Sequence, residues 1–110
     1  PILVGGDTPA AIARAVKLAD GYFPGEGDID RLRALIGRVH GACETAGHDP
    51  ASLEINAMFG TQMSDPKAGI EEMRAAGVGR IMIPAFFFAG PGGLDRMTAL
   101  AEQIMPLAAE

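Results

Sequence analysis

Ile2-Leu3-Val4-Gly5-Gly6-Asp7-Thr8-Pro9 is the stretch that decides the fold. Ile2 to Val4 is a short apolar strand, and Gly5-Gly6 ends it. Thr8 is a good helix N-cap. Pro9 suits the first helical position, where its missing N–H costs nothing. Ile12, Ala15, Val16 and Ala19 then recur at helical spacing until Asp20-Gly21 breaks the run. One strand, one glycine loop and one capped helix make a βα unit.

The same order repeats three more times. Tyr22-Phe23 is a short strand, Pro24 to Gly27 a loop, and Asp28 caps a long helix from about Ile29 to Ala46. Ile29, Leu32, Leu35, Ile36, Val39, Cys43 and Ala46 form its apolar stripe, and Gly47 stops it. Leu53 to Phe59 alternates as a third strand. Leu53, Ile55, Ala57 and Phe59 point one way; Glu54, Asn56 and Met58 point the other. Asp65-Pro66 repeats the cap-then-proline start of a helix that Gly77 ends. Arg80 to Pro84 is a fourth strand with Ile81, Met82 and Ile83 as a buried run. Gly90-Pro91-Gly92-Gly93 leads to a last helix, with Leu94, Met97, Leu100, Ala101, Ile104 and Leu107 on one face. Pro106 should fray or bend its final turn.

Strands alternating with helices imply an α/β fold with parallel pairing and right-handed crossovers. Four βα units suit a small open sheet or half of a barrel. The polar second face of the third strand, Glu54 and Asn56, suits a barrel interior better. The 110 residues make one domain. The net charge of −5 is spread along the chain without a Lys/Arg cluster, which argues against nucleic acid and anionic membrane as partners. No run of about 18 apolar residues occurs, so no helix that spans a bilayer is expected. One cysteine, Cys43, excludes an intrachain disulfide and fits a reducing cytoplasm. Pro1 stands directly before a strand, so the chain is expected to be cut from something longer.

Three loops carry candidate chemistry. Gly5, Gly6, Asp7 and Thr8 lie between a strand and a helix N-terminus. That is either a plain βα turn or a phosphate loop, with backbone approach at the glycines and a hydroxyl donor at Thr8. Asp7 would repel phosphate unless it points away. Tyr22, Phe23 and Pro24 either line a pocket beside that loop or, for the aromatics, belong to the core. Phe86, Phe87 and Phe88 cannot all point inward. At least one is expected to meet a ligand, a second subunit or other missing structure, the alternative being packing under the last helix. No metal-ligand spacing and no nucleophile–base arrangement occurs, so no catalytic side chain is assigned.

Several runs resemble the luciferase-like monooxygenase family: Pro1 to Gly6, then Thr8-Pro9 and the helix ending Ala19-Asp20-Gly21-Tyr22; Ala46-Gly47-His48-Asp49-Pro50; Ala75-Ala76-Gly77-Val78; and Leu100 to Leu107. His48 departs from the family, where Arg is common. The resemblance implies a (β/α)8 TIM barrel of about 250 residues or more. This chain would be its C-terminal half, residues 1–110. It further implies FMN or the deazaflavin coenzyme F-420 as cofactor and a small-molecule substrate. The cofactor phosphate would sit at Gly5 to Thr8. The activity would be that of a flavin- or deazaflavin-dependent oxidoreductase or monooxygenase. The partner would be the missing N-terminal half or a second copy of the chain, so a homo-oligomer is expected. The rival reading is a stand-alone or dimeric phosphate- or nucleotide-binding module without catalysis.

Overall fold

A computed structural model describes residues 1–109. Strands β1 (Leu3–Val4), β2 (Gly21–Tyr22), β3 (Glu54–Met58) and β4 (Arg80–Met82) alternate with helices α1 (Pro9–Leu18), α2 (Ile29–Thr45), α3 (Pro66–Ala75) and α4 (Gly93–Ala108). Short 3-10 turns occupy Pro50–Ser52, Thr61–Ser64 and Ala85–Phe88. The expected helix starts form as the caps dictate. Thr8 Oγ1 accepts from the Ala11 amide at 3.2 Å, Asp28 Oδ1 from Arg31 at 3.0 Å, and Asp65 Oδ1 from Ala68 at 3.2 Å.

All pairings are parallel, in the order β1-β2-β3-β4. Leu3 lies beside Gly21 and Gly21 beside Glu54; Val4 lies beside Tyr22 and Tyr22 beside Ile55. Asn56, Ala57 and Met58 face Arg80, Ile81 and Met82. A sheet that advances one strand at a time through right-handed crossovers keeps its helices on one face. The core obeys this rule. Tyr22, Ile55, Ala57 and Phe59 share one cluster with Ile12 and Ala15 of α1, Leu32, Ile36 and Val39 of α2, Ile70 and Met73 of α3, and Leu100 and Ile104 of α4. Leu32 and Phe59 are fully buried there. Each such side chain contributes about 1.5–3 kcal/mol of burial.

Among the described residues no helix packs on the other face of the sheet. It carries Leu3, Glu54, Asn56, Met58, Arg80 and Met82 by strand alternation. Arg80 Nε meets Glu54 Oε1 at 2.8 Å, an exposed pair that contributes at most about 1 kcal/mol. Asn56 is completely covered by its neighbours. Its Nδ2 donates to the Glu54 carbonyl at 3.3 Å, and its Oδ1 has no partner among the described residues. The radius of gyration is 15.0 Å, against about 13 Å for a compact domain of this length. The extents of 47 × 26 × 25 Å describe a body about twice as long as it is wide or thick.

Three expectations need correction. The last helix buries Leu100 and Ile104, while Leu94 and Met97 on the expected core face are exposed. The sheet ends at β4, so the N-terminal part of α4 has nothing to cover. Ile81, Met82 and Ile83 are half-buried rather than buried, because β4 is an edge. Of the two effects expected of Pro106, fraying does not occur, since α4 continues to Ala108. The proline removes a single donor, the one that would have met the Glu102 carbonyl, and the turn beyond it still forms.

Candidate functional site

In a parallel sheet every loop that follows a strand emerges at the same end, and that end is where α/β proteins carry ligand sites. Four loops emerge here, after Val4, Tyr22, Met58 and Met82.

The first loop is shaped by its glycines. Gly6 has φ +98°, and a Cβ there would lie 2.9 Å from the Ala11 Cβ. A Cβ on Gly5 would lie 2.8 Å from the Phe23 carbonyl oxygen, so the first two loops touch backbone to backbone. Gly5, Gly6, Asp7 and Thr8 are all exposed and lead into the N-terminus of α1. Pro9 has no N–H, and the amide of Ala10 has no helical carbonyl one turn earlier. The loop therefore offers backbone donors and the positive end of a ten-residue helix. It has no Lys or Arg of its own.

Tyr22 is fully buried on the helix side, in the core. Its hydroxyl donates to the Gly6 carbonyl at 2.6 Å, so it props the first loop from below. Burial, more than the neighbouring Asp7 charge, raises the phenol pKa against the opposing pull of Arg38, so the donor proton is retained. Tyr22→Phe should cost about 1 kcal/mol of stability, the usual net worth of one such bond. Chemical denaturation measures this directly, and an unchanged midpoint would show the bond to be idle.

The second loop begins with Phe23 and Pro24, both half-buried, and Phe23 N donates to Val4 O at 3.0 Å. Glu26 Oε1 accepts from the Gly27 and Asp28 amides at 3.0 and 2.9 Å, which folds the loop tightly onto the start of α2. The third loop holds Gln62, a buried polar residue that sequence reasoning missed. A lone Gln in a polar loop gives no sign that it turns inward. The fourth loop carries the three phenylalanines. Phe86 is 71% exposed and leans on Phe87 with ring centroids 4.7 Å apart, whereas Phe88 packs against the core.

The structure thus brings Gly5, Gly6, Asp7, Thr8, Phe23 and Pro24 together, with Tyr22 beneath them. Phe86, Phe87 and Phe88 follow the opposite edge strand, three strand spacings or about 14 Å away along the sheet. Cys43 is buried, with its pKa raised by desolvation and then by Asp49 and Glu44, which suits an inert core thiol. Among the described residues no cluster of His, Cys, Asp or Glu could hold a metal ion, and no helix is long and apolar enough to cross a membrane.

A singly wound parallel sheet, helices on one face and loops gathered at one end define a βα-repeat protein of the α/β class. Its sequence identifies which one: the chain belongs to the luciferase-like monooxygenase family, whose pattern matches residues 1–108. It is also similar to two mycobacterial proteins described as uncharacterized, Rv0940c of Mycobacterium tuberculosis and Mb0965c of Mycobacterium bovis. Each is 36% identical over 84 residues. That match covers 76% of this chain and 27% of each relative. The chain thus spans well under half the length of the relatives it matches.

Proposed function

We propose that this chain is the C-terminal half of a luciferase-type (β/α)8 barrel and supplies the cofactor-phosphate loop of a flavin- or deazaflavin-dependent oxidoreductase. The observation that carries the reading is the Gly5–Gly6 turn, open to solvent and aimed into the N-terminus of α1. A phosphate needs close backbone approach, free N–H groups and a helix dipole; the glycine turn allows the approach, and the start of α1 brings the Ala10 amide and the dipole. Phe23 and Pro24 would form the adjoining wall, and Phe86 and Phe87 a surface for substrate or for another chain. The bound FMN or deazaflavin would supply the redox chemistry, which fits a chain without an acid–base constellation.

The half-barrel reading is supported by the winding. Four strands in sequence order, with one face bare of helices, match an arc of a closed barrel better than a two-sided sheet. The exposed Leu94, Met97 and Met105 of α4 fit the same reading, since a further βα unit beside β4 would cover them.

Thermal melting of the full-length protein with FMN, and separately with the deazaflavin coenzyme, tests the proposal. A ligand at about 100 times its Kd stabilises by about 2.7 kcal/mol, an easily read rise in Tm. A rise with one cofactor is the expected result and assigns it. No rise with either would overturn the proposal.

A further inference from the structure

We infer that Gln62 is a positioning residue for this site, a clasp that sets the pocket-wall loop against its neighbours. The inference rests on the proposed cofactor site and extends it to a residue outside the phosphate loop.

Gln62 is 6% exposed, and its amide satisfies backbone groups in two separate loops. Its Oε1 accepts from the Gly60 amide at 3.1 Å, within its own loop. Its Nε2 donates to the Gly27 carbonyl at 3.0 Å, 35 residues away in sequence. Nothing else about position 62 requires an amide, because an apolar side chain of the same size would fill the same space.

Space has been cleared for it. Gly69 sits within α3, where glycine costs about 1 kcal/mol relative to alanine. A Cβ at Gly69 would lie 2.5 Å from the Gln62 Cβ and 3.0 Å from the Phe59 ring. The helix therefore carries an unfavourable residue at the point where Gln62 must turn inward.

Gly27 leads from the clasp to the proposed pocket. A Cβ on Gly27 would lie 3.2 Å from the Met58 carbonyl oxygen, so the second loop is wedged against the end of β3. Met58 N reaches Glu26 O at 3.4 Å on the same segment. At its other end the loop presents the Phe23 carbonyl to Gly5. A loop fixed at both ends holds Phe23 and Pro24 at a set distance from the Gly5–Gly6 turn. Releasing Gly27 would take that partner from its half-buried carbonyl and free the wall to shift.

The test uses full-length protein, two variants and two readouts: cofactor Kd by fluorescence titration as a function of pH, and Tm. Gln62→Leu removes both bonds and should weaken cofactor binding about tenfold. Gln62→Glu keeps the acceptor for Gly60 but, when ionised, cannot donate to Gly27 and repels its carbonyl. Protonation restores a donor. Taken as a ratio to the unmodified protein at each pH, which removes the titration of the cofactor phosphate itself, binding by Gln62→Glu should therefore be weak at neutral pH and recover as the pH falls. A residue that only held the fold together would lower Tm and leave the Kd of the folded protein unchanged. If Gln62→Leu fails to fold, the pH profile of Gln62→Glu decides. Kd values within about twofold of the unmodified protein, or a Gln62→Glu profile without recovery, would overturn the inference alone. An unmodified protein that binds neither cofactor would overturn the parent reading and this one with it.

Discussion

Gly93→Ala is expected to destabilise the protein by about 3 kcal/mol or more, because a new Cβ meets a neighbouring atom more closely there than at any other glycine. A Cβ at Gly93 would lie 1.7 Å from the Phe88 carbonyl oxygen and 2.7 Å from its carbonyl carbon. Both atoms are backbone, so no rotamer change relieves the clash. The turn cannot simply open, because it is tied at several points. Gly93 N donates to Gly90 O at 3.2 Å, and the Arg96 guanidinium donates to Pro91 O at 2.9 Å and Ala89 O at 2.8 Å. Relief requires moving the N-terminus of α4 away from the Phe86–Phe88 segment. Gly37→Ala is the control. It lies on the exposed side of α2 with nothing within 4 Å of a new Cβ, and should stabilise by about 0.5–1 kcal/mol. Urea denaturation of both variants measures the contrast. A Gly93→Ala protein as stable as its parent would mean that the turn yields where its geometry says it cannot.

Gly6→Val should weaken cofactor binding by about 100-fold while the rest of the fold survives. At φ +98° a β-branched residue is strongly disfavoured, and its Cβ would lie 2.9 Å from the Ala11 Cβ. The loop must adopt another path, which withdraws its amides from any phosphate. The loop itself is exposed, and the core bond that depends on it is that of the Tyr22 hydroxyl to the Gly6 carbonyl, a loss of about 1 kcal/mol. Circular dichroism should therefore stay close to that of the parent. Gly25→Ala is a useful comparison, with φ +74° but nothing within 4 Å of its Cβ. It carries the backbone strain without the clash and lies outside the phosphate loop. If Gly6→Val bound the cofactor as tightly as its parent, the phosphate would have to sit elsewhere.

What the sequence made legible was whatever depends on local chemistry. Thr8-Pro9, Asp28 and Asp65-Pro66 announced three helix starts because an N-cap and a first-turn proline act within a few residues. The alternation from Leu53 to Phe59 announced which face of β3 would meet the helices, though not that Asn56 on the other face would be covered as well. What stayed hidden depends on the neighbours a residue acquires only on folding. Leu94 and Met97 share the period of Leu100 and Ile104, and only the end of the sheet at β4 explains why they stay exposed. Tyr22 sat in a pattern equally suited to pocket or core, and the structure gives it a core position with its hydroxyl under the loop. Gln62 had no local signature, since its partner Gly27 is remote in sequence. Gly93 looked like one of several linker glycines, yet it alone meets a backbone carbonyl inside bonding range of a Cβ.

The strict β1-β2-β3-β4 order also has a kinetic meaning. Each strand pairs with the one before it in sequence, so no closure has to enclose more than one intervening helix. Loop-closure entropy rises only slowly with length, and chains dominated by such near-neighbour pairings fold faster than those that must join remote strands. Folding can therefore begin at any adjacent pair and spread outward in both directions. The pair β3–β4, with three paired positions against two in the other pairs and a shorter intervening segment than β2–β3, is the natural starting point. A growing polypeptide could lay down these units in the order of their synthesis, each docking on the edge left open by the last.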